Sequence, residues 1–193
     1  MNVMFISGIV TRGDMATSKT SSFWLTETVT LTSGAADGSR FSGTMDLGAY
    51  VDVGDQQAIS VESVDGIWQR ATDFGNDAES FLATAGSLGY QLTDLNPNDL
   101  FVRADDNNLI ASGAINISAG VVSHSNDFFP DIFGKLDEAR TVVNDQMYVV
   151  AGNDGALTGS STMYLTVRVK CRIVKLSTKD WMAIAIQSTA ADN

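Results

Sequence analysis

The chain has 193 residues, 44% of them apolar and 18% charged, with a formal net charge of −11 and a sequence pI near 4.2. That length suits one β domain with a sizeable core, and so negative a chain repels phosphate backbones, which excludes a general nucleic-acid binder. A single cysteine, Cys171, excludes an intrachain disulfide, and no stretch approaches the roughly 18 apolar residues a membrane helix needs.

Residues 1–21 read as a loosely ordered arm preceding a single domain. Their apolar run, residues 3–10, has no basic residue before it and no cleavage site after it, so a secretory signal is not expected. The first strand signal follows. Phe23, Leu25, Val29 and Leu31 alternate with Trp24, Thr26, Thr28 and Thr30, and Glu27 interrupts the apolar side. Met45, Leu47, Ala49, Val51 and Val53 alternate with Asp46, Gly48, Tyr50 and Asp52. The turn-rich segment between these runs predicts that they pair as antiparallel neighbours.

Residues 57–64 form a third predicted strand. Asp65-Gly66 then predicts a tight hairpin turn into Ile67, Trp68, Gln69 and Arg70, because Asp-Gly readily supplies positive φ angles. Residues 73–85 lose the alternation and read as a short helix or an acidic excursion. Residues 88–92 and 100–103 are shorter strand candidates around an Asn96-Pro97-Asn98-Asp99 turn. Asp105-Asp106-Asn107-Asn108 turns the chain again into residues 109–117. Residues 128–140 carry Ile132, Phe133, Leu136 and Ala139 at helical spacing, which predicts a short helix opened by Pro130 and Asp131. Residues 147–151 resume extended structure. The clearest strand comes next: Met163, Leu165, Val167, Val169, Cys171 and Ile173 on one face, with Tyr164, Thr166, Arg168, Lys170 and Arg172 on the other. Residues 181–186 read as a final apolar strand or a docked tail. The expected fold is therefore all-β: an antiparallel jelly roll or β-sandwich of about eight strands, with one or two short helices.

Little in the chain points to catalysis. His124 is the only histidine, too few for a cupin metal site or a Cys/His zinc site. It lies in Ser123-His124-Ser125, where strand geometry turns neighbours apart, and no Gly-x-Ser-x-Gly elbow occurs; a surface or loop histidine is expected. No phosphate-binding Gly-x-x-x-x-Gly-Lys is present. The oxygen-rich loops at Asp105–Asn108 and Asn153-Asp154-Gly155 do not complete an EF-hand, since Asn116 stands where the closing glutamate belongs. Asn116-Ile117-Ser118 is a glycosylation triplet on a predicted strand. Glu27 on an apolar face calls for a barrel-mouth position or a partner such as Arg40. No enzyme activity, cofactor or metal is expected.

The distribution of basic residues is more informative. Residues 1–160 carry 7 basic against 21 acidic side chains, whereas residues 161–193 carry 5 against 2. Those five, Arg168, Lys170, Arg172, Lys175 and Lys179, are the candidate subunit interface, where a basic face meets the acidic face of a copy. A solvated strand face balanced by acidic neighbours is the alternative.

Several segments together resemble the single-jelly-roll major capsid proteins of icosahedral viruses with an internal membrane, which infect archaea and bacteria. These are residues 23–30 (FWLTETVT), 46–53 (DLGAYVDV), 131–140 (DIFGKLDEAR) and 164–173. The resemblance implies a non-enzymatic shell subunit, made in the host cytoplasm and found in the virion. Its partners would be copies of itself and a second capsid protein, close to an internal membrane without inserting into it. Residues 1–22 contain only Arg12 and Lys19, so direct contact with a packaged genome is not expected. The runner-up is a lectin-like carbohydrate- or surface-binding module stacking sugar on Trp24, Trp68 or Tyr50, and a carboxylate-based hydrolase is a third reading.

Overall fold

The computed structural model describes residues 16–71, 80–118, 122–129, 140–159 and 162–189. Their order is β1 (Thr17–Ser18), β2 (Phe23–Leu31), β3 (Arg40–Asp46), β4 (Gln57–Arg70), β5 (Gly86–Thr93), β6 (Leu109–Ser118), β7 (Val122–Phe129), β8 (Arg140–Val142), β9 (Gln146–Asp154), β10 (Met163–Lys175) and α1 (Thr178–Thr189). Every pairing between the strands is antiparallel.

Two sheets result. Sheet A runs β1-β10-β4-β8, with β2 lying against β10 on the same side as β1; sheet B runs β3-β9-β5-β6-β7. The pairs β2·β10, β3·β9, β4·β8 and β5·β6 are nested, as if one long hairpin had been rolled into two layers. That is the jelly roll, with β7 added beyond β6. The inward residues of both sheets make one core, including Leu31, Ile59, Val61, Leu88, Leu92, Met147, Leu165 and Val169. A smaller cluster of Ala58, Val143, Val174 and Leu176 lies on the outer side of sheet A, where Trp181, Ile184 and Ala185 of α1 cover it.

Several expectations change. The strands at residues 23–31 and 163–175 form as read. However, β2 and β3 lie in different sheets and do not pair: β2 pairs with β10, β3 with β9, and the second edge of each faces the seam between the sheets. Alternation through residue 53 does not continue the second strand. It ends at Asp46, whose Oδ1 accepts from Gly48 N–H, and the amides of Tyr50 and Val51 both return to the Leu47 carbonyl. Asp65-Gly66 makes no hairpin; both residues sit inside β4, paired with Arg168 and Val167. Residues 100–103 are not a strand, whereas the turn before them is real, with Asn98 and Asp99 at positive φ.

Residues 181–186, read as a strand or a docked tail, are helix, docked on sheet A through Trp181, Ile184 and Ala185. Ser177 caps the helix: its hydroxyl accepts from Asp180 N–H and donates to the Asp180 carboxylate. Of the helix predicted at residues 128–140, Phe128 and Phe129 belong to β7, Arg140 opens β8, and the remainder lies outside the described residues. Most of residues 73–85 also lies outside them. From Ala16 onward the N-terminal arm is tied to β10: Thr17 and Ser18 pair with Lys175 and Val174, and Lys19 N–H donates to the Ile173 carbonyl.

Candidate functional site

The outer face of sheet A is built from alternate residues of β2, β10 and β4. Up to Cys171 the odd residues of β10 are fully buried, so Arg168, Lys170 and Arg172 point outward together. A bulge in β4 organises them. Lys170 pairs with Ser63 and Cys171 with Val61, so Glu62 is the extra residue and its carboxylate is turned onto this face. Only 11% of its side chain is exposed. It takes the Arg172 guanidinium at contact distance, the Ser22 hydroxyl at 2.9 Å and the Lys170 ammonium at 3.8 Å. Arg168 lies over the Trp24 ring, 4.6 Å from its centroid, and beside Asp65 in the register.

The five predicted interface residues are thus not equivalent. Arg168, Lys170 and Arg172 share a face and have partners within the chain. Lys175 follows the opposite parity at the exposed end of β10, on the side of Ile173, which packs on the main core. Lys179 is exposed on α1.

The outer face of sheet B carries a feature the sequence did not reveal. Residues Gly89, Gly152 and Ala114 lie in one cross-strand row, with Ser87, Gln91 and Ser112 beside them. The β5–β6 loop folds back over this floor. The Gln91 amide clamps it, donating to the Val102 carbonyl at 2.8 Å and accepting from Val102 N–H at 2.7 Å. Phe101 then lies 3.6 Å from where a Gly89 Cβ would be, and Arg40 stacks on Phe101 at 4.5 Å. Arg40 in turn needs Gly152 beneath it, because a Cβ there would sit 2.7 Å from its side chain. Between loop and floor is a cleft of about 290 Å³ lined by Ser87, Gly89, Phe101, Ala104, Ser112 and Ala114 among others. The lining Ala104 is preceded by Arg103 and followed by Asp105 and Asp106, Arg103 pairing with Asp105 at 3.4 Å, and the lining Ser87 pairs with Asp154 in the register.

Arg40 is therefore engaged with Phe101 and with the carbonyls of Ser39 and Asn153, not with Glu27. Glu27 faces Gly43 at the open seam between β2 and β3, where burial pushes its carboxyl above the ordinary value. Asp94 is deeply buried below the β5–β6 loop. Burial raises its carboxyl more than the Arg140 ion pair, at 3.2 Å, lowers it. Burial also pushes the Cys171 thiol up to about 12, with the Glu62 charge adding to the effect.

Asp105–Asn108 serves as a turn, Asp106 Oδ1 accepting from Asn108 N–H, whereas Asn153 and Asp154 end β9, where the buried Asn153 amide donates to the Ala36 and Gly155 carbonyls. Among the described residues no group of three His, Cys, Asp or Glu is placed to hold a metal. His124 is in β7, opposite Asn116 of the glycosylation triplet. Of the three aromatics considered for sugar stacking, Trp68 is buried and Tyr50 packs on Phe23 at 5.3 Å, leaving Trp24 exposed.

The architecture has a known counterpart. The VP1 protein of Trichodysplasia spinulosa-associated polyomavirus superposes with a TM-score of 0.53 at 8% identity, over 85% of this chain and 99% of that one. The likeness is one of fold. Two further structures of the same VP1, with sialylated glycooligomers and with GM1 oligosaccharide, score 0.47 at 8% and 9% identity, covering 84% of this chain and 98% of theirs. No family model matches the chain, and no curated protein is similar to it in sequence.

Proposed function

We propose that this protein is a structural subunit of a viral shell, assembling with copies of itself into capsomers and carrying no catalytic role. The observation that carries the reading is the jelly-roll fold itself, β2-β10-β4-β8 layered on β3-β9-β5-β6, which superposes on 99% of a solved viral capsid protein chain. The two outer faces support it. One bears cations ordered by Glu62 and Trp24; the other bears a cleft whose lining residues Ala104 and Ser87 adjoin Asp105, Asp106 and Asp154 in chain or register. Opposite charge on two faces of one subunit sets register and steers assembly. Arg168, Lys170, Arg172, Lys175 and Lys179 are the residues we place at subunit contacts.

The finer reading is a virion with an internal membrane and a second capsid protein, the subunit itself being made in host cytoplasm. It rests on charge: at −11, this subunit is ill suited to contact a packaged genome. Negative-stain microscopy and sedimentation of purified protein, alongside native particles, test the proposal. Uniform capsomers or shells are expected. A protein that stays monomeric at every concentration, from a source without particles, overturns it.

A further inference from the structure

Resting on that reading, we propose that Trp24 of one copy seats in the cleft over Gly89 of the next, packing sheet A of one subunit head to tail on sheet B of its neighbour. Trp24 is 44% exposed, the largest of the exposed apolar side chains among the described residues. It is also held in place, because Arg168 stacks on it at 4.6 Å. A large apolar ring fixed before contact loses little side-chain freedom on binding, which is what interface anchors share.

The cleft matches this knob in size and chemistry. Its volume of about 290 Å³ admits one indole. The glycine, serine and alanine floor lets a flat ring approach the strands, and Phe101 offers an aromatic wall at the offset or edge-on geometry aromatic pairs prefer. The surroundings are complementary in charge. Around the knob, Arg168, Lys170 and Arg172 face outward with Glu62 and Asp65; adjoining the cleft's lining residues in chain or register are Asp105, Asp106 and Asp154, with Arg103 and the Phe101-stacked Arg40 as the cations there.

Knob and cleft lie on opposite layers of the same sandwich. A contact joining two different faces is heterologous, so each subunit donates one Trp24 and accepts another, and the chain of contacts closes into a ring when the rotation allows. A two-fold dimer would instead use one face twice and leave the cleft unfilled.

Sedimentation velocity across a concentration series tests this with Trp24→Ala and Gly89→Leu. The former removes the knob; the latter fills the cleft from a position where an added Cβ meets Phe101 only at ordinary contact distance. Each variant alone is expected to weaken self-association by about tenfold or more. Mixed in equal amounts they are expected to form a one-to-one heterodimer that grows no further, since one retains the cleft and the other the knob. Ala114→Leu fills the same cleft from β6 and replaces Gly89→Leu if circular dichroism shows the latter misfolded. If either folded variant assembles like the unaltered protein, or if the mixture yields no heterodimer, the inference is overturned. Absence of self-association in the unaltered protein overturns the inference, and the capsid reading with it when the source also lacks particles. An unaltered protein that assembles beside unaffected variants overturns the inference alone, so the two failures are distinguishable.

Discussion

Single residues carry much of the sandwich's specificity. Gly66 lies mid-strand because the Tyr90 ring of the opposite sheet occupies the space a side chain would need: a Cβ there would be 2.3 Å from the ring. Gly66→Ala is expected to destabilise by about 1–3 kcal/mol through overpacking, and pairing it with Tyr90→Leu to recover part of the loss, both read from urea unfolding. Glu27 behaves differently. Its folded-state pKa lies above the ordinary 4.5, so its charged form is the one the fold disfavours. The penalty is absent well below pH 4.5, grows as pH rises from there to the folded value, and persists above it. Glu27→Gln should therefore melt higher than the natural protein at pH 7, with the gap closing on acidification. Melting curves of both proteins from pH 3 to 8 check the sign. An inward charge on an unpaired edge also discourages that edge from recruiting stray strands. The same position thus weakens the fold slightly and protects it from aggregation.

At the scale of elements, the balance between local sequence and tertiary demand varies. β10 was legible because it is long and buried on one face, so alternation from Met163 to Ile173 had no competing interpretation. β4 was not, since Asp-Gly marks a turn only when no partner strand holds it extended, and β10 does so from Gln57 to Arg70. The bulge at Glu62 had no sequence signal at all. Its placement depends on how β4 and β10 come into register, and the cation cluster on sheet A depends on that bulge. Helix α1 carried a signal that composition hid: residues 181–186 read as a strand or a docked tail, but Ser177 and Asp180 at capping-box spacing announce a helix start. Ser177→Ala is expected to cost about 1 kcal/mol of local helix stability. Because Trp181 packs on the small outer cluster, that loss should appear as faster amide exchange confined to α1, with the exchange of β10 up to Cys171 unchanged.

For the whole molecule, alternation and turn residues were enough to indicate an antiparallel β-sandwich. These are local properties: a strand with one wet face declares itself whatever it pairs with. The basic bias of the last 33 residues was equally plain from the chain alone. Which strands would neighbour each other was not, because strand pairing is a long-range choice made by the whole core; β2 has β10 beside it rather than β3. The same reason hid the cleft. Its floor comes from β5 and β6, its wall from the loop between them, and its flank from Arg40 and Gly152 of β3 and β9. Sequence thus determined the fold class and where the cations lie along the chain, whereas tertiary structure decided which cations share a face and which are paired with Glu62, because register and bulges are set by the whole core.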